Sequence, residues 1–205
     1  QAWYNPVGLW LPAADPLHIR SSPRGAHMTA YDWLLIFLAG GLVVLLTYVR
    51  MVRALLTLFI LWLSTFLSAL LYREVVFRMQ AVTGRNPVLA RGVVFDILLI
   101  LFLVVGYVLV SVSFPVTRLP KLGIFDNLMG LVLGAMVAVV LVALLVNSMG
   151  VMVAERWEGN ESGWANLRTS YLRSGLRPLT SPIVAAYARL FVPFFGGMPP
   201  VLYPQ

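Results

Sequence analysis

From Ile124 to Met149 the chain reads IFDNLMGLVLGAMVAVVLVALLVNSM, with Asp126 in its first turn as the only charge. A helix needs about 20 largely apolar residues to cross the hydrocarbon of a bilayer. Backbone that faces lipid has no water to bond to, so such a stretch must be helical. Three stretches of the same character lie upstream: Trp33 to Val49, Ala54 to Tyr72, and one from near Val93 to about Phe114 that carries Asp96 near its start. The pattern predicts an all-α integral membrane protein with four transmembrane helices over 30–150. An extended N-terminal tail (1–29) precedes them, and an amphipathic, interfacial C-terminal region (151–205) follows.

Composition points the same way. Of the 205 residues, 60% are hydrophobic and 11% charged, against about half and a quarter in soluble domains. So small a protein cannot hide that excess in its own core. The net charge of +7 comes from arginines beside the apolar runs, where topology signals and anionic-lipid contacts belong. It therefore does not point to nucleic acid. The absence of cysteine excludes disulfides and thiolate chemistry.

The connections differ in kind. Arg50 to Arg53 form a tight turn between the first two spans. About 20 polar residues with Gly84 and Pro87 join the second to the third, and Pro115 to Gly123 join the third to the fourth. The first 27 residues are rich in proline and read as extended chain. After a polar patch from Glu155 to Glu161, Asn166 to Leu176 reads as an amphipathic helix with Arg168, Arg173 and Arg177 on its wet side. The apolar stretch Ile183 to Phe195 is short and interrupted by Arg189. It is expected in the membrane plane, with a fifth span as the alternative.

With four spans, Arg20 and Arg24, the four arginines from Arg73 to Arg91 and the five from Arg156 to Arg189 share one side. Only Arg50, Arg53, Arg118 and Lys121 lie on the other. The positive-inside rule then places both termini in the cytoplasm. A signal peptide removed before Gln1 would reverse the order.

Several residues stand out. Gly130, Gly134 and Ala138 recur at spacing four and form a small-residue face for close helix packing, within the bundle or against another chain. Ser64 and Ser68 repeat that spacing and are candidates for cross-helix hydrogen bonds. Asp32, Asp96 and Asp126 all sit near helix starts, where a carboxylate caps free amides and meets the positive end of the dipole. Asp96 and Asp126 enter from opposite faces, which argues against a carboxylate pair. Arg50 and Arg53 suit lipid headgroups or a partner. Trp3, Trp10, Trp157 and Trp164 in the polar tails are candidate lipid or partner anchors. His18 and His27 have no metal-ligand spacing, and no nucleophile elbow, phosphate loop or dinucleotide fingerprint is present. No catalytic residue, metal site or cofactor is predicted; bound lipids are.

Asp32 at the first span, Tyr48 to Leu58 (YVRMVRALLTL) at the first turn, and Leu122 to Ala135 (LGIFDNLMGLVLGA) opening the fourth span together resemble the colicin V production protein (CvpA) family. Asp126, Gly130 and Gly134 match its Asp and two-glycine signature. The resemblance covers about 30–150, with a weaker echo in Ser170 to Pro182. Met51 stands where the family usually has glycine. The resemblance implies a four-span bacterial inner-membrane protein linked to toxin production or export and to envelope homeostasis, with no settled chemistry. The expected role is a non-catalytic scaffold or assembly protein. The alternatives are an accessory subunit of a respiratory or photosynthetic membrane complex and a small transporter or channel.

Overall fold

The computed structural model describes residues 29–47, 51–83, 87–113, 123–157, 159–197 and 199–203. They form helices α1 (Ala30–Thr47), α2 (Met51–Thr83), α3 (Pro87–Ser113), α4 (Gly123–Met152), α5 (Glu161–Arg173) and α6 (Arg177–Ala188). A 3₁₀ turn (Arg189–Phe191), the short α7 (Val192–Phe195) and a second 3₁₀ turn (Pro200–Leu202) follow. No strand occurs among the described residues.

The second connection is shorter than its polarity suggests. Nothing between Arg73 and Thr83 breaks a helix, and Glu74 and Arg78 pair one turn apart at 2.9 Å, so α2 runs on past the apolar stretch. Pro87, whose missing amide costs nothing at a first helical position, opens α3. The amphipathic helix also starts earlier than expected. The Asn160 side chain accepts from the Gly163 amide at 3.1 Å, and Glu161 then falls in a first turn that favours acidic groups.

Helix α4 is the centre of the molecule. It packs against α1 on one side and against α2, α3 and α6 on the other. One core joins Leu61, Ala69 and Tyr72 of α2, Phe95 and Leu99 of α3, and Val137, Leu141 and Leu144 of α4. A second joins Leu35 of α1, Val142, Val146 and Met149 of α4, and Tyr171 of α5. The Met51 amide meets Asp126, so α2 and α4 begin at one end of the bundle. Tyr31 meets the Leu145 carbonyl and Asp96 meets Ser148, so α1 and α3 begin at the other. The helices thus alternate in direction, and residue 29 lies at the same end as α5.

Among the described residues, four helical stretches are long and apolar enough to cross a membrane: Met51–Met79, Leu89–Ser113, Phe125–Met152 and Arg177–Phe195. Ala30–Val44 is a shorter apolar helix. The C-terminal stretch of the four packs onto the bundle. The Tyr187 hydroxyl lies 3.2 Å from that of Thr65, and the Phe191 ring stacks on Trp62 at 5.9 Å. Helix α6 itself packs along α4, and its last turn and the residues that follow reach α2. Phe195 packs on Phe66 at 5.3 Å, near the middle of the α2 span. Gly196, at φ 65°, reverses the chain there in a conformation that favours glycine. Val201 and Leu202 return into the first core, and the Val201 carbonyl accepts from Asn147 at 3.0 Å. Ala188 and Phe191 are wholly buried.

Candidate functional site

Asp32 is fully buried. Its amide donates to the Thr29 hydroxyl at 3.3 Å, and its carboxylate accepts from the Thr29 amide at 2.9 Å. This reciprocal box starts α1. The same carboxylate accepts from the Ser174 hydroxyl and, at 3.3 Å, from the Gly175 amide. One side chain therefore ties the start of the first helix to the α5–α6 junction. The helix-start role was readable from the sequence; the Ser174–Gly175 partnership was not.

Asp126 is buried at the opposite end and accepts from the Met51 amide at 3.0 Å. It sits in the first turn of α4 and also caps α2, so one carboxylate serves the positive ends of two parallel helices. Arg53 stands in the first turn of α2. Arg50, Trp3 and Trp10 lie outside the described residues.

Asp96 lies in the third turn of α3 and not at its start, because the helix already begins at Pro87. It accepts from the Ser148 hydroxyl at 2.7 Å, while its other oxygen is enclosed without a hydrogen-bond partner. From Asp126 to Ser148 the α4 axis rises about 33 Å at ~1.5 Å per residue. Asp96 and Asp126 are thus separated by a bilayer thickness and cannot act as an acid–base pair. Among the described residues no three His, Cys, Asp or Glu gather as a metal site.

The small residues face inward. Gly130, Gly134 and Ala138 are buried in the chain's own interior, as are Ser64 and Ser68. Ser68 Oγ has no partner. The hydroxyl that meets another helix is that of Thr65, bonded to Tyr187 and to its own Leu61 carbonyl. Two glycines outside the signature sit in close approaches. A Cβ on Gly106 would meet Ile60 at 2.5 Å, and one on Gly92 would meet Met152 and, at 2.9 Å, the Ser148 carbonyl.

Trp157 and Trp164 are not anchors on the surface. Both are buried. Their indole N–H groups donate to the carbonyls of Met152 at 2.8 Å and Val153 at 3.3 Å. A helix ends with carbonyls that lack intrahelical partners, and these two indoles supply partners at the end of α4. Arg168 and Arg156 cover the Trp164 ring at 4.7 and 5.5 Å. Tyr171 beside them is also buried, which pushes its hydroxyl above the ordinary value; Arg177, 5.0 Å from the ring, pulls the other way.

Among the four stretches long enough to cross a membrane, that of α3 is the least covered. Only 17% of its span is buried, against 44% for α2 and 50% for α4. Ile97, Leu101, Val104, Val105, Val108 and Val112 form an exposed aliphatic face along it.

A family model described as colicin V production protein matches residues 31–180. The match begins beside Asp32 and runs past Ser174 and Gly175, so it takes in both sides of the clasp between α1 and the α5–α6 junction. No curated protein and no solved structure matches the chain.

Proposed function

Because this chain belongs to the colicin V production protein family, we propose that it acts as a non-catalytic scaffold or assembly protein of the bacterial inner membrane. The observation that carries this reading is the bare aliphatic face of α3. In lipid such a face gains nothing from hydrophobic burial, and helices associate through close packing. A membrane subunit laid along α3 is thus accommodated without disturbing the α4-centred core. The buried acids support the same reading. Asp32 and Asp126 spend their oxygens on helix ends and on the α5–α6 junction, which is structural work. The arginines from Arg73 to Arg91 and from Arg156 to Arg189 favour the end with α5 as the cytoplasmic one.

The accessory-subunit reading rests on the same face and differs only in stoichiometry. A photo-crosslinking side chain at Val105 in native membranes, with one at Val139 on the exposed side of α4 as control, tests both. A discrete protein adduct from Val105 and none from Val139 supports the scaffold. If it migrates as a stoichiometric complex on blue-native electrophoresis, the subunit form is favoured. Lipid adducts alone at both positions would overturn both.

A further inference from the structure

A cleft of about 320 Å³ opens where α2, α3, the end of α4 and the returning C-terminal turn meet. Its walls include Tyr72, Arg73, Arg91, Val151 and Val201. Along α2 from Met51 to Arg73, and along α3 from Arg91 to Ser113, the rise is in each case about 33 Å at ~1.5 Å per residue. Each arginine thus stands one hydrocarbon thickness from the far end of its helix, at the depth of lipid phosphates.

The charge of the cleft is unbalanced. Arg73 and Arg91 are exposed to it, and among the described residues no carboxylate lies within ion-pairing distance of either. The nearest acid in sequence, Glu74, is taken by Arg78, and Asp96 is engaged by Ser148. Two guanidinium groups from different helices, in a concave site with apolar walls, match a phosphate whose remaining substituent is hydrocarbon. Leu70, one turn above Arg73 on the same face of α2, is exposed and offers a track for an acyl chain.

We propose that this cleft binds the phosphate of an anionic phospholipid, with Arg73 and Arg91 as its ligands and the C-terminal turn as its outer wall. Basic pockets between spans at the cytoplasmic face are suited to such headgroups. The site stands independently of the scaffold reading, since it needs only that the helices span the membrane.

The test uses the full chain in lipid nanodiscs and follows thermal unfolding as the anionic fraction rises. Phosphatidylglycerol is expected to raise the unfolding temperature well beyond phosphatidylcholine. Arg73→Gln and Arg91→Gln should each weaken the half-saturating response roughly fivefold, the factor given by about 1 kcal/mol per arginine near the membrane surface. Arg78→Gln, outside the cleft, should retain the full response. Equal stabilisation of the unmutated protein by the two lipids would overturn the proposal without any variant. So would a full response in the Arg73→Gln/Arg91→Gln double variant. Inorganic phosphate reproducing the whole effect in phosphatidylcholine discs would replace the lipid by a soluble phosphate and overturn the lipid assignment.

Discussion

Replacing Asp32 with Ala removes a buried carboxylate that holds the Ser174 hydroxyl and the Gly175 amide across the chain as well as the Thr29 amide locally. A hydrogen bond to a charged group contributes about 1.5–3 kcal/mol, and its loss leaves a buried donor unpaired. Counting only the two tertiary bonds, at the low end of that range, the α5–α6 junction loses about 3 kcal/mol of its attachment to α1. At about 1.4 kcal/mol per tenfold, the population of the detached junction rises roughly 100-fold. Arg173 immediately precedes Ser174, which gives the assay. Trypsin cutting after Arg173 reports local opening when reclosing is fast relative to cleavage. The Asp32→Ala protein in nanodiscs should be cut there one to two orders of magnitude faster than the parent. Ser174→Ala should give a smaller increase. The double variant should be no worse than Asp32→Ala alone, because the two residues share one interaction. Cleavage at the parental rate in Asp32→Ala, or strictly additive effects in the cycle, would refute the clasp.

Gly92→Ala should destabilise the bundle by about 1–3 kcal/mol through overpacking, because its Cβ would press on the Ser148 carbonyl and Met152; thermal unfolding in nanodiscs reads it. Gly40→Ala, where nothing lies within 4 Å, should be neutral or stabilising by up to about 1 kcal/mol in the same assay. Asp126→Ala should speed hydrogen exchange of the Met51 amide by roughly tenfold, as expected for a lost cap of about 1 kcal/mol or more, while leaving exchange near Ser174 unchanged. Trp157→Phe keeps the aromatic body and removes the bond to the Met152 carbonyl, so it should cost about 1 kcal/mol and accelerate exchange only at the end of α4.

The apolar stretches and two of the three expected helix-start acids, Asp32 and Asp126, were legible because both are local properties; Asp96 was misplaced because α3 starts at Pro87, nine residues before it. Length and apolarity alone decide whether a segment can cross, and an Asp in a first turn is favoured wherever that helix ends up packing. Which face of a span turns inward was not legible. The spans are apolar all round, so no 3.6-residue stripe marks the buried side, and the sequence showed Gly130 and Gly134 only as a face that could serve this chain or another. The tails misled for a different reason. Tryptophans in polar segments suit a membrane interface, yet the unpaired carbonyls at the end of α4 drew Trp157 and Trp164 inward.

By itself, then, the sequence determined a helical membrane protein, its long apolar stretches and the acids that start two of its helices, since each follows from the local balance between lipid and backbone polarity. Only the tertiary structure decided that α4 is the hub, that Asp32 clasps Ser174 and Gly175, that α6 packs on α4 and the chain after it reaches α2 before turning back at Gly196, and that Arg73 and Arg91 share one cleft. These depend on which surfaces meet. In a bilayer that choice is made by close packing and by the few polar atoms that must find partners, at separations of more than a hundred residues in the case of Asp32.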